Sequence, residues 1–190
     1  MRLLLLLWFW LTVLHGAPDD PGAKIATAAR ARIGVTTSYD PSYVVLKYPG
    51  GDVANDRGVC TDVVVRALRM GISQDLQKLV HADMRKDFPR YPKIWGLRKP
   101  DPNIDHRRVP NLQTYLKRRG CSLPLSQDPT NYQAGDLVTC TVPPNRPHIM
   151  IVSHRKSSRG TPLVIHNIGA GTQEEDRLFT FPLTGHYRWK

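Results

Sequence analysis

Cys60 follows Gly58 and Val59 and leads into the apolar run Val63 to Met70, which ends at Gly71. A thiol at the start of a helix meets unpaired backbone N–H groups and the positive end of the helix dipole, which lower its pKa and favour the nucleophilic thiolate. A lone cysteine is otherwise a small buried apolar residue, so the thiol alone decides nothing. Two apolar β-type runs, His148 to Ser153 and Leu163 to Ile168, flank the polar loop Arg155 to Gly160. A hairpin centred on Ser157 sets His148 opposite His166, and a slip of one residue brings Asn167 there instead. A cysteine nucleophile needs a base to take its proton and a third group to orient that base. Cys60, His148 and either His166 or Asn167 meet that need for attack on a carbonyl carbon. The competing reading is a small core thiol and polar residues at the ends of buried strands.

The elements that must position these groups change character midway along the chain. Lys24 to Ile33 repeats apolar residues at helical spacing, and a second helix begins near Cys60. Ser73 to Phe88 reads as a third helix with Ser73 as N-cap, and Asn111 to Arg119 as a fourth. Residues 35–56 read as loop with a short hairpin through Tyr43 to Tyr48, and Trp95 to Arg108 as a surface loop free to bind. Strand patterns follow at Leu137 to Val142, His148 to Ser153 and Leu163 to Ile168, with a last one at Gly185 to Trp189. The expectation is an α+β fold, helices in the N-terminal half packed on a small antiparallel sheet in the C-terminal half, as one domain over residues 18–190.

Lys and Arg number 27 against 16 Asp and Glu, a formal net charge of +11, which points to an anionic partner. No helix-turn-helix, zinc-finger or aromatic RNA-binding motif is present, so nucleic acid is not the expected partner. Met1-Arg2, the run Leu3 to Leu14 broken only by Thr12, and the small residues Gly16 and Ala17 read as a signal peptide over residues 1–17. The run is short for a span, which needs about 20 apolar residues. The expectation is export to the periplasm or the extracellular space, as a monomer with no stable membrane insertion after cleavage.

The order of a helix-opening Cys60, a strand His148 and a polar residue on the next strand resembles the NlpC-type and CHAP-type papain-like hydrolases. The resemblance is carried by Gly135-Asp136-Leu137-Val138, by His148-Ile149-Met150-Ile151-Val152 and by Val164-Ile165-His166, and it spans Lys24 to about Ile168. It implies a cysteine peptidase or amidase acting on the peptide stems of bacterial peptidoglycan, with Cys60 as nucleophile, His148 as base, His166 as orienter and no cofactor. Asp56 to Asp62, Asp101 to Asn111 and His166 to Thr172 are similar to a bacterial exported family catalogued as a domain of unknown function, number 1287. The Asp-Cys-Ser-Gly usual in NlpC-type enzymes is here Val59-Cys60-Thr61-Asp62, a departure at the oxyanion site. The backbone N–H of Cys60 remains the natural donor there.

Around that core, Asp105, His106 and Arg107 sit in a loop that could line the cleft, with Arg107 or Arg108 pairing a stem-peptide carboxylate. Tyr39 is a further substrate-binding candidate from the first loop, and the run Glu174-Glu175-Asp176 reads as a solvated face. Cys121 and Cys140 are candidates for a structural disulfide. A zinc hydrolase is a rival, but His-Glu-x-x-His and spaced Cys pairs are absent. The other rival is a non-catalytic module that grips wall or anionic polymer through its basic surface.

Overall fold

The computed structural model describes residues 20–190; the segment read as a signal peptide lies outside the described residues. Among them, no helix is long and apolar enough to cross a membrane. Helix α1 (Pro21–Arg30) starts ahead of the apolar repeat because the Asp20 carboxylate accepts the Gly22 N–H at 2.9 Å and a proline opens the first turn. Helix α2 (Cys60–Ile72) begins at the predicted thiol. Ser73 is not an N-cap: at φ 56° it terminates α2 in the left-handed conformation. Helix α3 (Leu76–Lys86) is capped by Asp75, whose carboxylate accepts the Gln77 N–H at 3.2 Å. Helix α4 (Val109–Arg118) starts two residues before the expected Asn111 and carries Pro110 in its first turn.

Six strands form one sheet: β3 (Ser122–Leu123), β4 (Leu137–Val142), β5 (Arg146–Lys156), β6 (Pro162–Asn167), β7 (Thr172–Glu175) and β8 (Leu183–Tyr187). Their order is β3-β8-β4-β5-β6-β7, with every neighbouring pair antiparallel. The architecture is therefore α+β, helices first and sheet second. In place of a hairpin through Tyr43 to Tyr48, β1 (Ser38–Tyr39) pairs in parallel with β2 (Arg57–Gly58), immediately before the nucleophile candidate.

The sheet is buried on both faces, which period-2 alternation sorts. Ile149, Ile151 and Ile165 pack with Ile25 and Ala29 of α1 and with Val63, Val64, Ala67 and Leu68 of α2. Met150, Val152 and Val164 pack with Val138, Tyr132 and Leu178 in a second cluster. Each fully buried Leu, Ile or Val contributes about 1.5–3 kcal/mol, so the two clusters hold the sheet end that carries the histidines. Cys121 belongs to the first cluster and Cys140 to the second, and both are free buried thiols, not a disulfide.

Strand β5 pairs with β6 at Ile151–Ile165 and Val152–Val164 and bulges between Val152 and Lys156. This register is displaced by two residues from a hairpin centred on Ser157. An even displacement preserves the face of every side chain, so His148 and His166 become diagonal neighbours within ring reach of each other.

Candidate active site

The residues around Cys60 form a tightly bonded corner. The Asp62 carboxylate accepts the Val59 N–H at 2.7 Å, closing the start of α2. Arg107 donates Nε and Nη2 to the two oxygens of Asp62, each at 3.0 Å. Its remaining donors reach the carbonyls of Ser42 at 2.9 Å and Asp40 at 3.2 Å. The Thr61 hydroxyl donates to the Arg107 carbonyl at 3.0 Å. Gly58 has φ 154°, and a Cβ there would meet the Asp62 side chain at 2.9 Å, so the turn into α2 requires glycine.

The thiol itself is buried, and this reverses the direction expected from its helix-start position. Burial pushes the Cys60 pKa up to about 11; the neighbouring Asp62 charge adds to the rise, while the N–H groups of Ile149, Thr61 and Cys60 oppose it. The resting group is the thiol. Ile149 follows His148 in β5, and Cys140, the cross-strand partner of His148, has its own pKa pushed up to about 12 by burial and then by the charge of Cys60. Cys60 therefore lies at the His148 end of the strand. No hydrogen bond joins its Sγ to His148 among the described residues. Catalytic hydrogen bonds are often long before substrate binds and tighten in the complex.

The histidines form a relay that ends on a carboxylate. Nε2 of His148 lies 2.8 Å from Nδ1 of His166, and Nε2 of His166 lies 2.9 Å from Oε2 of Glu175. Burial lowers the pKa of His148 to about 3, with the neighbouring His166 adding to the fall. Burial also lowers that of His166, against an opposing pull from Glu175. Both rings are neutral at pH 7, and the acceptor at the end of the chain fixes their tautomers. Glu175 can only accept, so His166 donates from Nε2 and accepts at Nδ1. His148 must then donate from Nε2, which leaves Nδ1 as its basic nitrogen. That atom makes no hydrogen bond within the protein and is not among the sealed polar atoms.

Asn167 does a different job. Its amide donates to the carbonyls of Ser38 at 3.1 Å and Gly58 at 2.9 Å, tying the β1–β2 pair to the end of β6. Of the two residues considered as the third member, His166 is the one that touches His148.

A cleft of about 300 Å³ opens over the thiol, lined by Tyr39, Cys60, Trp95, Arg108 and Pro147, the neighbour of His148. Burial raises the pKa of the Tyr39 phenol, and the charge of Cys60, which lines the same cleft, raises it further. The loop before α4 is not the open surface its composition suggested. Asp105, His106 and Arg107 are 1%, 2% and 6% exposed and form a 3-10 turn. Asp105 accepts the Asp101 N–H, and burial raises its pKa to about 6. His106 is lowered to about 4 by burial, and neither residue lines the cleft. Arg107 reaches the cleft wall, but four of its donor contacts are already made. The guanidinium presented to the cleft is that of Arg108, 4.2 Å over the ring of Trp95. The acidic run is not a solvated face either: Glu175 holds His166, and Glu174 accepts from Ser153 and lies 3.1 Å from Arg30. Among the described residues, no three of His, Cys, Asp and Glu gather as metal ligands.

A family profile described as "Domain of unknown function (DUF1287)" matches residues 26–189. The chain belongs to the DUF1287 family. The match takes in Cys60, His148, His166 and Glu175 together, so the whole relay is part of the family domain. The Escherichia coli (strain K12) "Uncharacterized protein YijF" is 57% identical over 165 residues, 87% of this chain and 80% of that protein. Among solved structures, NlpC1 from Trichomonas vaginalis superposes with a TM-score of 0.49 at 12% identity, over 93% of this chain and 46% of its own. NlpC2 from the same organism gives 0.47 at 12% identity, over 90% of this chain and 48% of its own. The DUF1287 chain thus spans about half the length of these two solved structures.

Proposed function

We propose that this chain is an exported cysteine-dependent amide hydrolase, an amidase or endopeptidase, acting on the stem peptides of bacterial peptidoglycan. The observation that carries the reading is the relay from Glu175 through His166 to His148, which leaves Nδ1 of His148 as the basic nitrogen on a strand whose Pro147 lines the cleft with Cys60 and whose Ile149 N–H reaches the sulfur. Such a relay is what a thiol held at high pKa requires. The resting pair is thiol and neutral imidazole, so proton transfer accompanies attack instead of preceding it. Nδ1 of His148 takes the Sγ proton as sulfur adds to the substrate carbonyl, and the Cys60 N–H at the head of α2 stabilises the oxyanion. The imidazolium, stabilised through His166 by Glu175, gives its proton to the departing amine. A thioester remains, and water, deprotonated by His148, releases the acid and restores the thiol.

The apolar run Leu3 to Leu14 supports export, and the net charge of +11 suits an anionic wall. The test is mass spectrometry of purified peptidoglycan incubated with reduced wild type, Cys60→Ala and His148→Ala proteins. New amide-cleavage products from wild type, lost in both variants, are the expected result. Absence of products, with wall binding retained by Cys60→Ala, would replace the enzyme by a non-catalytic binding module on the same scaffold.

A further inference from the structure

Arg107 and Arg108 are adjacent in sequence and opposite in use. The first spends its guanidinium on Asp62 and two backbone carbonyls, although it reaches the cleft wall. The second lines the cleft together with Cys60, and its one hydrogen bond runs from Nη1 to Oδ1 of Asp105 at 3.5 Å. Its Nε and Nη2 therefore have no partner among the described residues. The guanidinium carbon sits 4.2 Å over the Trp95 ring, which fixes the plane of the fork and leaves its edge open. A planar, stacked guanidinium with a free edge is the donor that matches a carboxylate in bidentate fashion. The surrounding walls are apolar, formed by Pro41, Ile94, Val109 and Pro110, and strengthen any ion pair made there.

A second cation precedes another residue of the cleft lining. Arg146 opens β5 next to Pro147 and is exposed, and its side chain makes no hydrogen bond or ion pair among the described residues. Pro147, the next residue, lines the cleft, which sets Arg146 at its rim, and its charge lowers the pKa of the Tyr39 phenol on the cleft wall. We propose that Arg108, seated on Trp95, and Arg146 form a carboxylate-binding subsite, so that the bond cut lies next to a residue with a free carboxylate. The inference rests on the hydrolase reading and names the class of substrate it takes: acidic peptides, not neutral or amidated ones.

The test compares two probes, a soluble peptidoglycan stem tetrapeptide and the same peptide with its carboxyls converted one at a time to carboxamides. Affinity for the inactive Cys60→Ala protein is read by calorimetry, and kcat and KM by product formation with wild type. The expected result is at least tenfold weaker binding when one particular carboxyl is amidated. Arg108→Gln should erase that difference through KM, with Arg108→Lys retaining part of it. Arg146→Gln, an exposed position that tolerates exchange, should reduce the difference without perturbing the fold. Equal binding of all forms, or full discrimination by both Arg→Gln variants, overturns the subsite. Cleavage of all forms alike would remove the subsite and keep the hydrolase; selective binding without cleavage would do the reverse.

Discussion

Under the hydrolase reading, two neighbouring residues of β6 do different jobs, and each leaves a different experimental trace. Replacing His166 by Asn removes the ring that accepts from His148 Nε2 and disconnects Glu175, so kcat should fall by about 10²–10⁴, the usual share of general acid–base catalysis. The pH–rate profile should shift with it, because the charge that stabilises the His148 imidazolium is gone. Asn167→Ala loses two carbonyl contacts worth about 1 kcal/mol each, which should lower stability and leave the shape of the profile unchanged. A profile altered by Asn167→Ala and untouched by His166→Asn would exchange their roles. The sequence singled out the candidate nucleophile and both rings, since a cysteine at a helix start and histidines at strand ends stand out from their surroundings. Glu175 was hidden. A four-residue edge strand of sequence Thr-Gln-Glu-Glu has no hydrophobic alternation, and a carboxylate serving one buried ring looks like any surface acid.

At the level of elements, the corner of α2, the 3-10 turn and the β1–β2 pair is held by an ion pair whose partners are 2% and 3% exposed. Removing one partner of such a pair leaves a buried charge, so Arg107→Ala should cost about 3–5 kcal/mol, read as a lowered denaturant midpoint with unchanged slope. A loss below 1 kcal/mol would mean that water enters and satisfies Asp62. This corner also marks where the sequence misleads. Asp, His and Arg between prolines look solvated because composition reports polarity and not whether polar groups satisfy one another. Here Arg107 is paired with Asp62 of α2 and Asp105 with the Asp101 N–H and Arg108 of its own loop, pairings visible only after folding. The β4, β5 and β6 runs were legible because both of their faces are apolar, and only the register escaped, since the bulge after Val152 has no sequence signature.

For the whole molecule, buried titratable groups set the acid limit. His106 and His148 are lowered to about 4 and about 3, and His166 is lowered as well. The unfolded chain takes up protons near pH 6.5 that the folded chain refuses, so stability is full above that pH and falls as pH drops toward the folded values. Each ring contributes up to about 1.4 kcal/mol per pH unit in that window. Asp105 acts in the other direction: raised to about 6, it holds a proton that the unfolded chain has released, and so relieves part of the loss on acidification. Three imidazoles outweigh one carboxyl, and denaturation at pH 7 and pH 5 should show a lower midpoint at pH 5; an equal or higher one would show these rings to be hydrated. The two sides of the cleft also differ in how they are fastened. Tyr39 stands on a strand pair tied by Asn167 to the sheet and by Arg107 to α2, whereas Trp95 stands on a stretch, residues 92–100, without regular structure. One wall of the cleft is thus braced by the sheet, while the other rests on the stacking of Trp95 with Arg108. Under the hydrolase reading, the braced wall sets where a bound chain lies relative to the sulfur, and the stacked wall sets how it is gripped.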